Sequence, residues 1–162
     1  MPISFSADDI LEIAQQIEQN GLNFYRAASN AAVGIEANKM LSNLAEWEVA
    51  HEKLIRDMRA VLTSDQKQPT VFDPDDEMAL YLKAMASKVV FTSKMDPVEM
   101  LGSNPSLLEI LNIALDRERD AVSFYKSIKE IVPVSMGKDK IEAILLEEVS
   151  HVDIITKLLA EI

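Results

Sequence analysis

The sequence predicts an all-α protein, a four-helix bundle in which two helical hairpins are joined by a long crossover connection that carries a short extra helix. Hydrophobic residues make up 48% of the 162 residues, but there are only four Gly and six Pro, fewer than tight β-hairpins normally require. Apolar residues recur at steps of three and four along four long segments. The inner stripes of the second half repeat those of the first at a 100-residue offset. We expect a single domain spanning residues 1–162.

Local signals place the ends of the helices. Ser6 is an expected N-cap, because acidic residues follow it in the first turn. Gly34 interrupts the first periodic segment, and residues 65–74 are polar and carry two prolines, which predicts a loop. Pro133 stops the third long helix, and the fourth begins after Gly137. The expected helices therefore span about residues 7–32, 36–62, 75–91, 106–132 and 138–161.

The connection between the two halves is long, at roughly residues 63–105. A helix of about 27 residues is on the order of 40 Å long, and a connection of this size can return the chain along the whole bundle. The two hairpins would then be related by a pseudo-two-fold axis. The short helix places Met78, Leu82, Met85 and Val89 along one side. Its apolar segment 89–91 either packs on the bundle or supports a homodimer.

Composition and charge exclude several classes of function. The formal charge of −11 and the lack of a dense basic cluster argue against nucleic-acid binding. No apolar stretch is long enough to cross a membrane, and the first residues lack a basic and then apolar leader, so we expect a cytoplasmic protein. The absence of cysteine excludes disulfides, thiolate zinc sites and iron–sulfur clusters.

Both histidines of the chain lie in a Glu-x-x-His motif, and the two copies are 100 residues apart. Two further glutamates keep the same offset, and each is followed six and seven residues later by Phe-Tyr. Apart from the two tyrosines, only six charged or titratable residues lie on the inner stripes of the four helices: Glu18, Glu48, His51, Glu118, Glu148 and His151.

Carboxylates on the inner face of a bundle require a physical explanation. A buried ionised carboxylate costs several kcal/mol, and four at one level also repel each other. Two divalent cations would balance four carboxylates, and a Glu and a His three residues apart on a helix can reach one ion. Oxygen-rich ligands with one imidazole per metal suit iron or manganese better than zinc. The alternative is that core hydrogen bonds satisfy the glutamates without any metal.

At these residues the chain resembles the ferritin-like di-iron superfamily, and within it the rubrerythrin-like proteins. The resemblance covers nearly the whole chain and rests on the segments IEQNGLNFY, WEVAHEKL, DRERDAVSFY and LEEVSHVDII. It implies two iron ions per chain, with manganese or a mixed pair as alternatives. It implies terminal ligation of one ion by Glu18 and His51 and of the other by Glu118 and His151, with Glu48 and Glu148 bridging the two.

The resemblance also implies roles for two tyrosines. Tyr25 and Tyr125 match inward tyrosines that hydrogen-bond to ligand carboxylates, although ordinary core tyrosines with satisfied hydroxyls are the alternative. A ligating imidazole usually donates its second N–H to an outer partner, and Glu147 could accept it from a histidine on a neighbouring helix. The equivalent position is Trp47, whose indole can only donate. We therefore predict that the outer partners of the two histidines differ.

The chain departs from typical rubrerythrins in two ways. They carry a rubredoxin module that uses four cysteines, whereas this chain has none and would need a separate electron donor. They also place an additional glutamate one turn after the third-helix ligand, where this chain has Ala121. The expected six-ligand site is therefore symmetric, as in bacterioferritins.

The resemblance implies a non-haem di-iron redox protein that reduces hydrogen peroxide, or reacts with dioxygen, with electrons from an external donor. One alternative is a ferroxidase or iron-handling protein of the bacterioferritin type. The second is a structural or sensor bundle that a bound metal stabilises.

Overall fold

The computed structural model describes residues 5–69 and 77–162, except for the side chains of residues 90 and 91. Across these residues the chain is helical and contains no strand, which confirms the predicted fold class. Two short 3₁₀ turns, Asp65–Lys67 and Val134–Met136, accompany the α-helices. The α-helices are α1 (Ala7–Ala31), α2 (Ile35–Ala60), α3 (Glu77–Ser93), α4 (Pro97–Leu101), α5 (Leu107–Lys129) and α6 (Lys138–Glu161).

The four long helices form two hairpins. Helix α1 packs mainly against α2, and α5 packs mainly against α6, with fewer contacts between the hairpins. Helix α3, in the crossover connection, packs against α1. Its buried side carries Leu82 and Val89, while Met78 and Met85 are partly buried against the same core. This face therefore packs on the bundle, as its spacing predicts.

Matching caps start the first helix of each hairpin. The Ser6 hydroxyl accepts a hydrogen bond from the Asp9 amide, and the Asp9 carboxylate accepts one from the Ser6 amide. Ser106 and Glu109 form the same reciprocal pair at the start of α5. Each box satisfies amide groups that the first helical turn cannot pair internally. The predicted N-cap at Ser6 is confirmed.

The core consists of two apolar clusters with a polar layer between them. On α1, Ile10, Leu11 and Ala14 belong to one cluster, whereas Leu22 and Ala28 belong to the other. The other three long helices divide in the same way. The residues that separate the two clusters on the four helices are the predicted glutamates and histidines. The bundle thus encloses these polar side chains between two apolar layers.

Some helix ends differ from the predicted ones. Helix α5 ends at Lys129 instead of 132, because the amides of Ile131 and Val132 both bond to the carbonyl of Ile128 in a tightened turn before Pro133. Helix α4 was not predicted; Asp96 caps it by accepting from the Val98 amide. Residues 70–74 of the predicted loop and residues 75–76 of the predicted crossover helix lie outside the described residues.

The apolar segment 89–91, for which packing on the bundle and a homodimer contact were the two alternatives, is described only in part. Val89 is buried within the protein's own core, and the side chains of Val90 and Phe91 lie outside the described residues. The homodimer stays a prediction.

None of the helices in the described ranges has both the length and the apolar character needed to cross a bilayer.

Candidate metal centre

The structure brings the six predicted side chains together in the polar layer. Each is at least 95% buried, which is unusual for glutamate and histidine and indicates that a specific partner compensates each polar group. Their exposed fractions are 1% for Glu18, 5% for Glu48, 3% for His51, 2% for Glu118, 1% for Glu148 and 2% for His151. We call these residues the six centre residues.

The six centre residues form two overlapping groups of four. In each group, one ligand-type atom from every residue lies within 4.8 Å of the others. One group contains Glu18 and His51, and the other contains Glu118 and His151. Glu48 and Glu148 belong to both groups. This geometry offers two adjacent cation positions that share two carboxylates.

Both histidines turn the same ring nitrogen towards the carboxylates. His51 Nδ1 lies 3.2 Å from Glu18 Oε2 and 2.8 Å from Glu148 Oε1. His151 Nδ1 lies 3.5 Å from Glu118 Oε2 and 3.2 Å from Glu148 Oε2. The two imidazole rings are stacked with their centroids 5.8 Å apart. Nδ1 is therefore the atom of each ring that faces the cation position of its own group.

The tyrosines connect the two halves crosswise. Tyr25 of the first half donates a hydrogen bond to Glu118 of the second, and Tyr125 donates to Glu18. Both rings are at most 1% exposed. The resemblance implies tyrosine hydroxyls bonded to ligand carboxylates, and both hydroxyls do bond to glutamates of the centre, while a role for the two tyrosines in a reaction stays a prediction. Each hydroxyl holds one carboxylate oxygen of the opposite hairpin and so fixes its orientation.

The outer partners of the two histidines differ, as predicted. His51 Nε2 lies 2.9 Å from Glu147 Oε2, on a side chain that is 58% exposed. Trp47, at the equivalent position, instead stacks on His151, with ring centroids 4.7 Å apart and an interplanar angle of 9°. A carboxylate thus orients one imidazole and an aromatic face orients the other.

Burial and mutual repulsion strongly perturb the carboxyl groups. Burial, followed by repulsion from Glu18 and Glu148, raises the pKa of Glu48 well above its usual value. Burial raises the pKa of Glu118 to about 7, although hydrogen bonding to His151 opposes this shift. The metal-free centre therefore retains protons on carboxyl groups that would be ionised in water.

The pKa values of both imidazoles are raised, whereas burial alone would lower them. Burial lowers the pKa of a histidine, but the close carboxylates of Glu148 and Glu18 outweigh it and raise the pKa of His51 to about 11. Bonds to Glu118 and Glu148 raise the pKa of His151 to about 9. Without metal, protons on both rings supply the positive charge that the carboxylates require.

Two observations show that the arrangement fits a metal pair. Glu148 Oε1 is buried and accepts no hydrogen bond of good geometry; its close partner is the charged ring of His51, whose Nδ1 lies 2.8 Å away. An unpaired buried acceptor is rare and costly, and a cation would satisfy it. A Cβ atom at Gly21 would also lie 2.8 Å from the Glu48 carboxylate, so the absence of a side chain there makes room for this ligand. The donor set of four carboxylates and two imidazoles suits iron or manganese.

Sequence reasoning missed two residues beside the centre. Gly21 lies against Glu48, and Arg117 lines a cavity with Glu48 and Glu118. A comparison of the two halves could have found them, since Gly21 corresponds to Ala121 and Arg117 corresponds to Ile17. These substitutions break the internal symmetry next to the predicted ligands.

Comparison with solved structures supports the fold. The chain is similar to a Thermotoga maritima protein described as a ferritin-like diiron-carboxylate protein, with a TM-score of 0.71 and 21% sequence identity. The match covers 98% of this chain and 97% of the other. No protein-family model and no curated protein matches the sequence. The protein therefore has a ferritin-like helical fold, with a buried cluster of glutamates and histidines at its centre.

Proposed function

We propose that this protein is a rubrerythrin-like, non-haem di-iron redox enzyme that lacks a rubredoxin module. It would reduce hydrogen peroxide, or react with dioxygen, with electrons from a separate donor. The observation that carries the proposal is the pair of overlapping ligand groups that share Glu48 and Glu148. A protein that bound only one cation would have no need for two imidazoles and a second pair of buried carboxylates.

The proposed ligand roles follow the two groups. Glu18 and His51 would complete one metal position, and Glu118 and His151 the other. Glu48 and Glu148 would bridge the positions, because both belong to each group. Two divalent ions neutralise the four carboxylates, so loading would release the protons that the metal-free centre retains. Iron fits this oxygen-rich set, and manganese or a mixed pair would fit it as well.

A bound iron pair would supply two electrons to peroxide by passing from the diferrous to the diferric state. The protein's own residues hold the geometry for this reaction. Tyr25 and Tyr125 fix the terminal carboxylates, and Glu147 fixes the ring of His51. The apolar clusters on both sides limit the access of water to the centre.

Anaerobic loading with ferrous iron tests the proposal. We expect two iron ions per chain, and oxidation by about one equivalent of hydrogen peroxide per pair, followed by near-ultraviolet absorbance of the ferric product. Replacement of both histidines, His51→Ala and His151→Ala, should abolish pairing of the metals. Two irons per chain with unaltered spectra in this double variant would refute the ligand assignment.

A ferroxidase of the bacterioferritin type is the second candidate. The observation that favours it is Ala121, which leaves the centre with six ligands and no additional glutamate. A ferroxidase would turn over ferrous iron in excess of two per chain with dioxygen, and would form assemblies that store the product. The peroxide reaction described above would instead stop at two irons per chain unless a reductant were added.

A structural or sensor bundle is the third candidate. The iron-loaded protein described above would also distinguish this function. Metal would then raise the melting temperature strongly, but peroxide would produce no spectral change.

A further inference from the structure

A small cavity lies against the carboxylate side of the centre. It has a volume of about 20 Å³, and Glu48, Glu118 and Tyr25 contribute to its walls. This space is sufficient for roughly one water molecule or a ligand of similar cross-section. Gly21 also lines it, so the missing side chain leaves open space beside the Glu48 carboxylate. A small ligand in this cavity would lie next to the proposed metal positions.

A second cavity, of about 60 Å³, lies beneath helix α3. One side of this cavity is formed by α3, through Met85, Lys88 and Thr92, and the other side includes Asp120 of α5. Lys88 and Asp120 are about half exposed and form an ion pair across its edge. The two cavities share a wall, which is formed by Ile17, Arg117 and Ala121. The Arg117 side chain is the polar part of this shared wall.

Arg117 has a hydrogen-bond donor that nothing in the described structure uses. Its Nε atom is buried and has no hydrogen-bond partner. The guanidinium carbon lies 5.0 Å from the centroid of the Phe24 ring, which holds the cation by a cation–π contact. A buried unpaired donor costs about 1–3 kcal/mol, so it indicates a missing acceptor. The corresponding residue of the first half, Ile17, offers neither charge nor donor.

We infer that Arg117 is a positioning residue that holds a small monoanionic ligand of the metal centre, which enters beneath α3. The inference rests on the proposed function, because the ligand would sit between Arg117 and the metal pair. Two divalent ions balance the four carboxylates, so the guanidinium leaves one positive charge that a monoanion neutralises, and oxidation of the ions only adds positive charge that favours an anion. Hydroperoxide is the ligand of this class that the proposed reaction would use, and azide is a stable probe of the same charge and width.

Azide titration of the iron-loaded, oxidised protein tests this role, with absorbance reporting binding at constant ionic strength. We expect Arg117→Gln to weaken azide binding about tenfold, the loss expected for one hydrogen bond to a charged group, while the protein keeps two irons per chain and its melting temperature. Arg117→Lys retains the charge but not the Nε–H group, and should give an intermediate affinity. Arg119→Gln is the matched control, because it removes the same charge from an exposed position of α5 and should leave azide affinity unchanged.

The outcomes separate this inference from the proposed function. Unchanged azide affinity in Arg117→Gln, or an equal loss in the Arg119→Gln control, would overturn the role of Arg117. If Arg117→Gln does not fold, Arg117→Lys decides instead, and wild-type affinity in that variant would overturn the role. A wild-type protein that binds two irons but no azide would also overturn it while the proposed function stands. Failure to bind iron at all would refute both.

Discussion

The carboxylate of Glu48 occupies space that a side chain at position 21 would take. A Cβ built on Gly21 would lie 2.8 Å from both Cδ and Oε2 of Glu48, and 3.0 Å from Oε1. Gly21 is within α1 and needs no unusual backbone angle, so the close approach of the carboxylate is its physical reason. A glycine inside a helix costs about 1 kcal/mol relative to alanine, and the centre gains space for one ligand in return.

Gly21→Ala should separate stability from metal binding. The metal-free variant should be as stable as wild type, or more stable by up to about 1 kcal/mol, because alanine favours the helix and the Glu48 carboxyl can move. Displacement of that carboxyl should weaken metal binding roughly tenfold or more. Urea unfolding with a chelator and competition titration with manganese measure the two effects. Ala121→Gly, at the equivalent position of α5, should only lower stability, and unchanged metal affinity in Gly21→Ala would contradict the role of Gly21.

The contact between Glu147 and His51 predicts a second result at this scale. Glu147→Ala removes the acceptor that orients His51 Nε2, and we expect metal affinity to fall about 10- to 100-fold. The competition titration above measures this loss. Asp153→Asn is the control, because it removes one negative charge from an exposed position of the same helix. If both variants lose affinity equally, the effect is one of overall charge and the orienting role of Glu147 is wrong.

At the scale of elements, both polar and apolar contacts attach the described part of helix α3 to the bundle. The buried Asn20 side chain donates a hydrogen bond to the Val89 carbonyl at 3.1 Å. The ion pair between Lys88 and Asp120 is exposed and contributes little to stability. Leu82 and Val89 supply the apolar contact. The amide of Asn20 is therefore a buried directional contact that holds α3 over the larger cavity.

Asn20→Ala should loosen α3 while the four long helices stay folded. Asn20→Ala removes the buried hydrogen bond to Val89 and also the one that Asn20 accepts from Gln16, and their loss should lower the free energy of unfolding by about 1–2 kcal/mol. Hydrogen exchange of the amides in Glu77–Ser93 should accelerate more than exchange in α5 or α6. Gln19→Ala removes an exposed amide from the same helix and serves as the control. Uniform acceleration across all helices would contradict a local attachment of α3.

Helical periodicity was sufficient to predict the elements, because the inner stripes extend over many turns and repeat between the halves. The ends were less predictable. Pro133 correctly marks a stop, but the turn that ends α5 depends on how Ile131 and Val132 bond to Ile128, which spacing does not encode. Helix α4 is only five residues long, too short for a periodic signal, and the Asp96-Pro97 pair that starts it is equally compatible with a turn.

The six centre residues could be predicted because they are titratable side chains at positions that otherwise carry apolar ones. Six titratable side chains on apolar stripes are unusual, and their spacing marks them. Gly21 and Arg117 carry no such conflict in the sequence, because a glycine and an arginine are common on helices. The importance of Gly21 arises from its distance to Glu48, which depends on the packing of α1 against α2. The importance of Arg117 arises from an unpaired Nε atom, which depends on the packing of α5 against its neighbours.

At the scale of the whole molecule, the pKa shifts predict how stability depends on pH without metal. The raised pKa values of His151 (about 9) and His51 (about 11) give stability that is complete below pH 6.5 and is lost as pH rises through those values. The raised pKa of Glu118 gives stability that is complete below pH 4.5 and is lost as pH rises through about 7. The Glu118 contribution is therefore lost mainly below pH 7, and the two histidine contributions are lost from pH 6.5 upwards, so stability decreases throughout the range from pH 6 to 9.

We therefore expect the melting temperature of the chelator-treated protein to fall between pH 6 and pH 9. With manganese present it should rise over the same range, since metal binds more tightly as protons leave the ligands. Thermal denaturation with and without manganese measures both slopes. The His51→Ala, His151→Ala double variant should show a weaker slope without metal and no reversal with it. A melting temperature that rises with pH in the metal-free protein would contradict the protonated centre.

Anomalous diffraction from iron-loaded crystals, collected on both sides of the iron absorption edge, tests the central claim most directly. Two iron peaks should appear in the polar layer of each chain. One peak should contact Glu18 and His51, the other Glu118 and His151, and both should contact Glu48 and Glu148. A single peak, or iron bound only at surface carboxylates while the six centre residues keep the metal-free arrangement, would contradict the account.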